Sequence, residues 1–244
     1  MKTKLSLILL IIFCVAFPGQ EIKKNIVKTN LTAYAFRNFN LTYERALKKW
    51  FSVNVSYATI PKGKVPFVDT FLGSDDSDEF SNVEISSNAF TIETRFYLGK
   101  GYGKGFYLAP YYRNSQINAE NFIYNYSYDN GTVSQEIPLN VDGKTTANSF
   151  GLMIGTQFFL NKQGSLVLDL WLIGGHYGTA KGDFTLKSNT VLTPDQQEKL
   201  VNDLEDLEIP IIKYEVTPTS NGATVKMDGP WAGLRSGVSL GYRF

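Results

Sequence analysis

Eight ionisable residues recur on one phase of alternating segments. Lys28, Arg95, Arg113, Arg235 and Arg243 supply positive charge, and Glu44, Glu93 and Asp169 supply negative charge. Groups of opposite sign brought to one place can do two kinds of work. Held together, they satisfy one another and make a plug. Opened and re-formed, they gate a narrow pore. Losing one partner of a desolvated pair costs roughly 3–5 kcal/mol, so Glu93→Ala or Arg95→Ala is expected to matter under either reading.

Other chemistry has less to stand on. His176 is the single histidine, which excludes metal sites built on several, H-E-x-x-H among them. Beside a serine and a carboxylate it could serve a lipid-modifying barrel enzyme. The sequence holds no G-x-S-x-G elbow, however. Strict alternation also turns His176 outward, unless Gly174-Gly175 hosts a bulge. The stretch GKGYGKG at Gly99–Gly105 lacks phosphate-loop spacing and joins two strands with no helix following. The run DDSDE at Asp75–Glu79 lacks the glycine and terminal glutamate of an EF-hand loop. It reads as a solvated loop, with loose cation binding as the other option. We expect no catalytic residue, no cofactor and no metal, hence no enzyme.

The elements that position these residues are strands. Period-two patterning predicts Val27–Phe36, Phe39–Leu47, Trp50–Ile60, Ala89–Leu98, Gly105–Ser115, Ala147–Leu160, Ser165–Tyr177 and Trp231–Phe244. Most are near the ~9–11 residues of a tilted bilayer-crossing strand. After a tight link at Arg37-Asn38, the connections alternate short and long. Lys48-Lys49, Gly99–Gly105 and Asn161–Gly164 are short; 61–88, 116–146 and 178–230 are long. In an up-and-down barrel every second connection shares a rim, so the short turns fall on one side and the long loops on the other. The expected fold is all-β: an eight-stranded antiparallel up-and-down transmembrane barrel with long external loops and both termini periplasmic.

Polarity gives the direction of the faces. In the last strand Leu234, Val238, Leu240, Tyr242 and Phe244 oppose Arg235, Gly237, Ser239, Gly241 and Arg243. Leu166, Leu168, Leu170 and Leu172 oppose Asp169 in the strand before it, and Phe90, Ile92 and Phe96 oppose Glu93 and Arg95. A soluble barrel would bury the leucine face and show these charges to water; a membrane barrel does the reverse. An arginine at the bilayer midplane would cost roughly 2–4 kcal/mol, so the charges belong inside. Val238, Leu240, Tyr242 and Phe244 would then be the pattern that the barrel-assembly machinery reads.

Composition bounds the rest. The 244 residues suit one barrel, and 24 Lys plus Arg against 23 Asp plus Glu give no bulk charge for nucleic acid. Residues 1–20, MKTKLSLILLIIFCVAFPGQ, read as a signal peptide: Lys2 and Lys4 precede a short apolar core. Cleavage is expected between Ala16 and Gln20. The single cysteine, Cys14, lies in that segment, and residues 21–244 form the barrel.

Within the last long loop, TPDQQEKLVNDLEDLEIP carries a helix start: Thr193 as N-cap, Pro194 at the first position and Gln196 closing a capping box. Leu200, Val201, Leu204 and Leu207 recur at helical spacing. The helix packs over two loop strands, PIIKYEVT and GATVKMDG, or stands ready for a surface partner.

The stretches NLTYERALKK, PKGKVPF, FYLGKGYGKGFYLAPYYR, HYGTAKGDF and NGATVKMDGPWAGLRSGVSLGYRF resemble a family of small Gram-negative outer-membrane barrels, a domain of unknown function distantly like the OmpA/OmpX type. The resemblance spans about Lys24 to Phe244. It implies an outer-membrane barrel and no assigned reaction. The favoured expectation is a plugged monomer in outer-membrane lipid whose external loops meet a surface partner or support envelope integrity. A small gated channel for ions or solutes is the alternative.

Overall fold

A computed structural model describes residues 22–64, 83–99, 101–206 and 211–244. The segment 1–20, DDSDE at Asp75–Glu79 and Leu207 lie outside the described residues. The strands are β1 (Asn25–Asn30), β2 (Phe39–Lys48), β3 (Phe51–Lys64), β4 (Glu84–Tyr97), β5 (Gly105–Asp129), β6 (Ser134–Phe159), β7 (Leu166–Ser188), β8 (Lys213–Thr219) and β9 (Gly222–Arg243). A 3-10 turn occupies Thr32–Phe36, and helix α1 spans Pro194–Glu205.

Each strand pairs antiparallel with the next, β7 skips to β9, and β9 closes on β1. The result is a ring of eight strands. The ninth, β8, lies outside the ring and pairs only with the upper part of β9, from Gly222 to Asp228.

Two expectations need correction. The first strand does not run to Phe36. It stops at Asn30, whose side chain accepts hydrogen bonds from the Thr32 hydroxyl (2.7 Å) and the Ala33 amide (3.1 Å), and the chain turns there. Arg37 ends that turn in the left-handed region at φ 56°. The long connections 116–146 and 178–230 are also not loops in the main. β5, β6 and β7 have 25, 26 and 23 residues, twice what a crossing needs. They continue past the ring as an open sheet of β5, β6, β7, β9 and β8, with α1 against one face.

Polarity divides the two parts. In β6 the odd-numbered residues face inward. Around the ring these are Ser149, Gly155 and Gln157, while Phe150, Leu152, Ile154 and Phe158 face out and are exposed. Further up, the inward residues become Ile137 and Leu139, buried beneath α1, and the outward ones become Pro138, Asp142 and Lys144. A bulge at Asn121 (φ 63°) lets β5 follow the same inversion, bringing Tyr126 and Tyr128 inward. The apolar belt around the ring includes Leu41, Val55, Ile92, Leu108, Leu166 and Leu240, spread over six further strands.

Helix α1 starts as its sequence dictates. Thr193 Oγ1 accepts from the Gln196 amide at 3.3 Å, and Gln196 Oε1 accepts from the Thr193 amide at 2.9 Å, a complete capping box. Leu200 is fully buried against Tyr126, Leu139, Leu186 and Ala223, and Leu204 packs at the edge of that cluster. Val201 is only partly covered.

Candidate functional site

Eight strands leave a lumen that side chains can fill, and here they fill it with charge. β1 brings Lys28, β2 Glu44, β4 Glu93 and Arg95, and β7 Asp169. The side chains of Lys28, Glu44, Arg95 and Asp169 have 0% solvent exposure. Lys28 Nζ donates to Glu44 Oε2 (2.6 Å), Asp169 Oδ2 (2.7 Å) and Gln157 Oε1 (2.8 Å), which uses all three of its protons. Arg95 Nη1 donates to Asp169 Oδ2 at 2.7 Å, and Arg95 Nε to Glu93 Oε1.

Neutral donors complete the carboxylates. Ser52 and Tyr97 hydroxyls each donate to Glu44 Oε1 at 2.6 Å. The Tyr107 hydroxyl donates to Asp169 Oδ1 at 2.8 Å, and Trp171 Nε1 reaches Asp169 Oδ2 at 3.2 Å. The Arg95 guanidinium also lies 4.2 Å above the Tyr107 ring. Tyr107 fits because its cross-strand neighbour is Gly155: a Cβ there would stand 2.3 Å from the Tyr107 hydroxyl.

The floor of the cluster comes from the turn between β4 and β5. Gln157 Nε2 donates to the carbonyl of Gly103 at 2.6 Å, and Gly103 adopts φ 71° within reach of Ile26 and Glu44. GKGYGKG is thus more than a tight connection, because it closes one end of the lumen.

Above the cluster the lumen opens into a vestibule of about 440 Å³. Arg113 and Arg235 line it together with Trp171, Asn38, Asn40 and Ser56. Arg113 Nη1 donates to the Thr91 hydroxyl at 3.1 Å. Arg235 lies 4.6 Å from the Tyr111 ring and 4.8 Å from the Trp171 ring, with Glu93 3.8 Å away. His176 faces this side after all. A bulge at Leu172-Ile173, one step before Gly174, shifts the phase and brings His176 Nδ1 within 3.2 Å of the Tyr111 hydroxyl. The same shift turns Gly175 outward.

Of the eight predicted interior residues, five meet in the cluster and Arg113 and Arg235 form a layer above it. Arg243 stands apart, with Nη1 3.4 Å from the Gly164 carbonyl and its guanidinium 4.5 Å from the Phe159 ring. Val238, Leu240, Tyr242 and Phe244 point outward, and the Phe244 amide and carbonyl both bond to Asn25. Tyr97, Tyr107 and Gln157 also belong to the site. They share the phase of the charged residues, and that was their only signal in the sequence. Trp171 carries less, since a mid-strand aromatic reads equally well as facing outward. Among the described residues no three His, Cys, Asp or Glu side chains gather as metal ligands.

A closed antiparallel ring with charge inside and an apolar belt outside defines a β-barrel of inverted polarity. No protein-family model matches the chain, and no curated protein matches its sequence. Among solved structures it is similar to the outer membrane protease OmpT from Escherichia coli, with 11% identity, 91% of this chain and 92% of that chain covered, and a TM-score of 0.33. A likeness this distant transfers neither activity nor residues. The expectation that this chain is no enzyme is withdrawn, the similar structure being that of a protease.

Proposed function

We propose that this chain is an integral outer-membrane β-barrel, sealed by the Lys28–Glu44–Arg95–Asp169 cluster and carrying a binding surface on its outer side. One observation supports this most: the ring turns leucine, isoleucine and phenylalanine outward and keeps Lys28, Glu44, Arg95 and Asp169 fully covered within. Closing β9 on β1 satisfies their edges over Ile26–Asn30 and Ser239–Arg243, as lipid demands of spanning strands, and lipid makes such an outer face stable. The short turns and both termini then face the periplasm. The sheet above the ring, with α1, stands outside the membrane, where a surface partner would meet it. Outer-membrane lipid surrounds the belt, the last strand is the segment for the assembly machinery, and the unit is a monomer.

Sealing follows from the bonding. Each carboxylate of the cluster accepts from at least two groups, so opening a path exposes several unpaired charges at once. Single-channel recording of the refolded, heat-modifiable protein in a planar bilayer tests the seal. Silence from the unaltered chain, with openings in Arg95→Ala, is the expected result. Discrete openings in the unaltered chain would overturn the seal and leave the gated channel.

A further inference from the structure

The ring has an incomplete wall, and the vestibule lies behind it. β1 pairs with β9 only from Ile26 to Asn30, opposite Arg243 to Ser239. β9 continues upward, but from Pro230 to Gly237 that edge has no strand beside it among the described residues. The 3-10 turn stands there instead. Leu31 N donates to the Val238 carbonyl at 2.8 Å, and the Thr32 hydroxyl lies 3.4 Å from the Val238 amide. On the far side Asn40 takes over strand pairing with its own amide, bonding the Asn30 amide (2.6 Å) and carbonyl (3.1 Å). β1 therefore ends cleanly, in mid-wall.

The lips of this gap are apolar and its interior is cationic. Leu234 is 83% exposed, and Leu31, Phe36 and Phe39 around the turn are exposed as well. Inside, among the described residues no aspartate or glutamate lines the vestibule, while two guanidiniums do. Arg113 has a hydroxyl as its hydrogen-bond acceptor. Arg235 Nη1 lies 3.8 Å from Glu93 Oε2, and the other oxygen of that carboxylate, Oε1, accepts from Arg95 and Asn54. Arg235 Nη1 is buried with no hydrogen-bond partner among the described residues. Arg113 and Arg235 thus bring two guanidiniums to one cavity, with a carboxylate at ion-pair distance from Arg235 and none from Arg113 among the described residues, an arrangement suited to receiving an anion.

We infer that the vestibule holds the phosphate or carboxylate headgroup of an anionic amphiphile, which enters sideways between β9 and the 3-10 turn. The inference rests on the membrane-embedded reading above, since apolar lips have a use only in lipid. The cavity, at about 440 Å³, is of small-ligand size. It takes a headgroup, and the acyl chains stay in the bilayer. Arg113 and Arg235 hold the anion, with Trp171 as one wall.

Native mass spectrometry of the detergent-solubilised, heat-modifiable protein tests this. The probes are phosphatidylglycerol, phosphatidylcholine and inorganic phosphate. Phosphatidylglycerol should be retained one per chain, in preference to phosphatidylcholine. Arg113→Gln should weaken it by at least about tenfold, the usual scale for a lost charge-assisted bond, whereas Arg113→Lys retains most of it. Asn38→Asp is the second variant. Its Oδ1 has no hydrogen bond to lose among the described residues, so the change adds negative charge to the lining and should weaken retention similarly. Equal retention of both lipids, or indifference to Arg113→Gln and Asn38→Asp in folded protein, overturns the site. Inorganic phosphate bound as tightly as the lipid overturns the sideways route and leaves a free-anion site. A chain that fails to insert into liposomes overturns the membrane reading and the site with it, whereas an inserted chain without lipid preference overturns the site alone.

Discussion

The ring and the sheet above it share four strands, β5, β6, β7 and β9, yet they are stabilised in opposite ways. In the ring the covered face holds Lys28, Glu44, Arg95 and Asp169, and the open face is leucine and phenylalanine. In the upper sheet the covered face holds Ile137, Leu139 and Leu186 beneath Leu200 of α1, and the open face carries Asp142 and Lys144. Strand geometry does not change between them; on the membrane-embedded reading proposed above, the medium they face does. Where water surrounds the sheet, burying apolar area at about 25 cal/mol per Å² drives packing. Where lipid surrounds it, that drive vanishes across the outer face, and mutual satisfaction of charges and closure of the ring take its place. The two regions should therefore fail independently and for different reasons.

The largest expected effect tests the lumen. Asp169 accepts from Lys28, Arg95, Tyr107 and Trp171, and its carboxylate bridges the two fully covered cations. Asp169→Ala leaves two buried cations short of a counter-charge and should cost roughly 3–5 kcal/mol of barrel stability. A fall in the urea midpoint of the heat-modifiable form reads it. A stability unchanged to within ~0.5 kcal/mol would mean that the cluster contributes nothing net, and the contrast would collapse.

Leu200→Ala comes next and tests the other side. Removing a fully buried leucine from an apolar cluster costs about 2–5 kcal/mol. The loss should appear as proteolysis within 194–205 and not as a lower barrel midpoint. A barrel midpoint that falls in step would show the two regions to be one cooperative unit.

How far the sequence disclosed these regions depends on what each one needs. The ring was legible because an apolar outer face and charge inside impose strict alternation, seen in Phe90 to Arg95 and again in Leu234 to Arg243. Thr193, Pro194 and Gln196 announced α1, since capping is local. Phase errors hid the rest. One extra residue at Leu172-Ile173 reversed His176, and the bulge at Asn121 broke the alternation that would have revealed β5 running on to Asp129. The end of β1 was invisible because Leu31, Tyr34 and Phe36 continue an apolar rhythm that reads as strand. What stops it is the Asn30 side chain bonding to the turn, a tertiary fact about one amide. Gly103 closing the lumen had no signal either, since a glycine in a turn looks the same whether or not its carbonyl is needed by the Gln157 side-chain amide on β6.

The smallest effect sharpens the contrast through pH. The covered face of the upper sheet has a polar margin where the Tyr128 hydroxyl and the Asn130 amide donate to Asp195 on α1. Those bonds hold the Asp195 carboxyl below its ordinary value, and the carboxylate in turn pushes the Tyr128 phenol up. Burial, with Asp203 as acceptor, raises Tyr126 in the same direction. A carboxyl lowered by folding contributes fully above its unfolded pKa of about 4, and that contribution disappears as pH falls through the folded value. A phenol raised by folding contributes fully below about 10, and that contribution is lost as pH climbs through the raised value. Docking of α1 should therefore be flat between those limits and loosen outside both. Hydrogen exchange at 194–205, followed across pH with correction for intrinsic rates, reads it. Asp195→Asn should flatten the acid limb and leave the barrel's urea midpoint untouched. An acid limb that survives in Asp195→Asn would place the titrating group elsewhere, and the claim that the upper sheet carries its own electrostatics would fail.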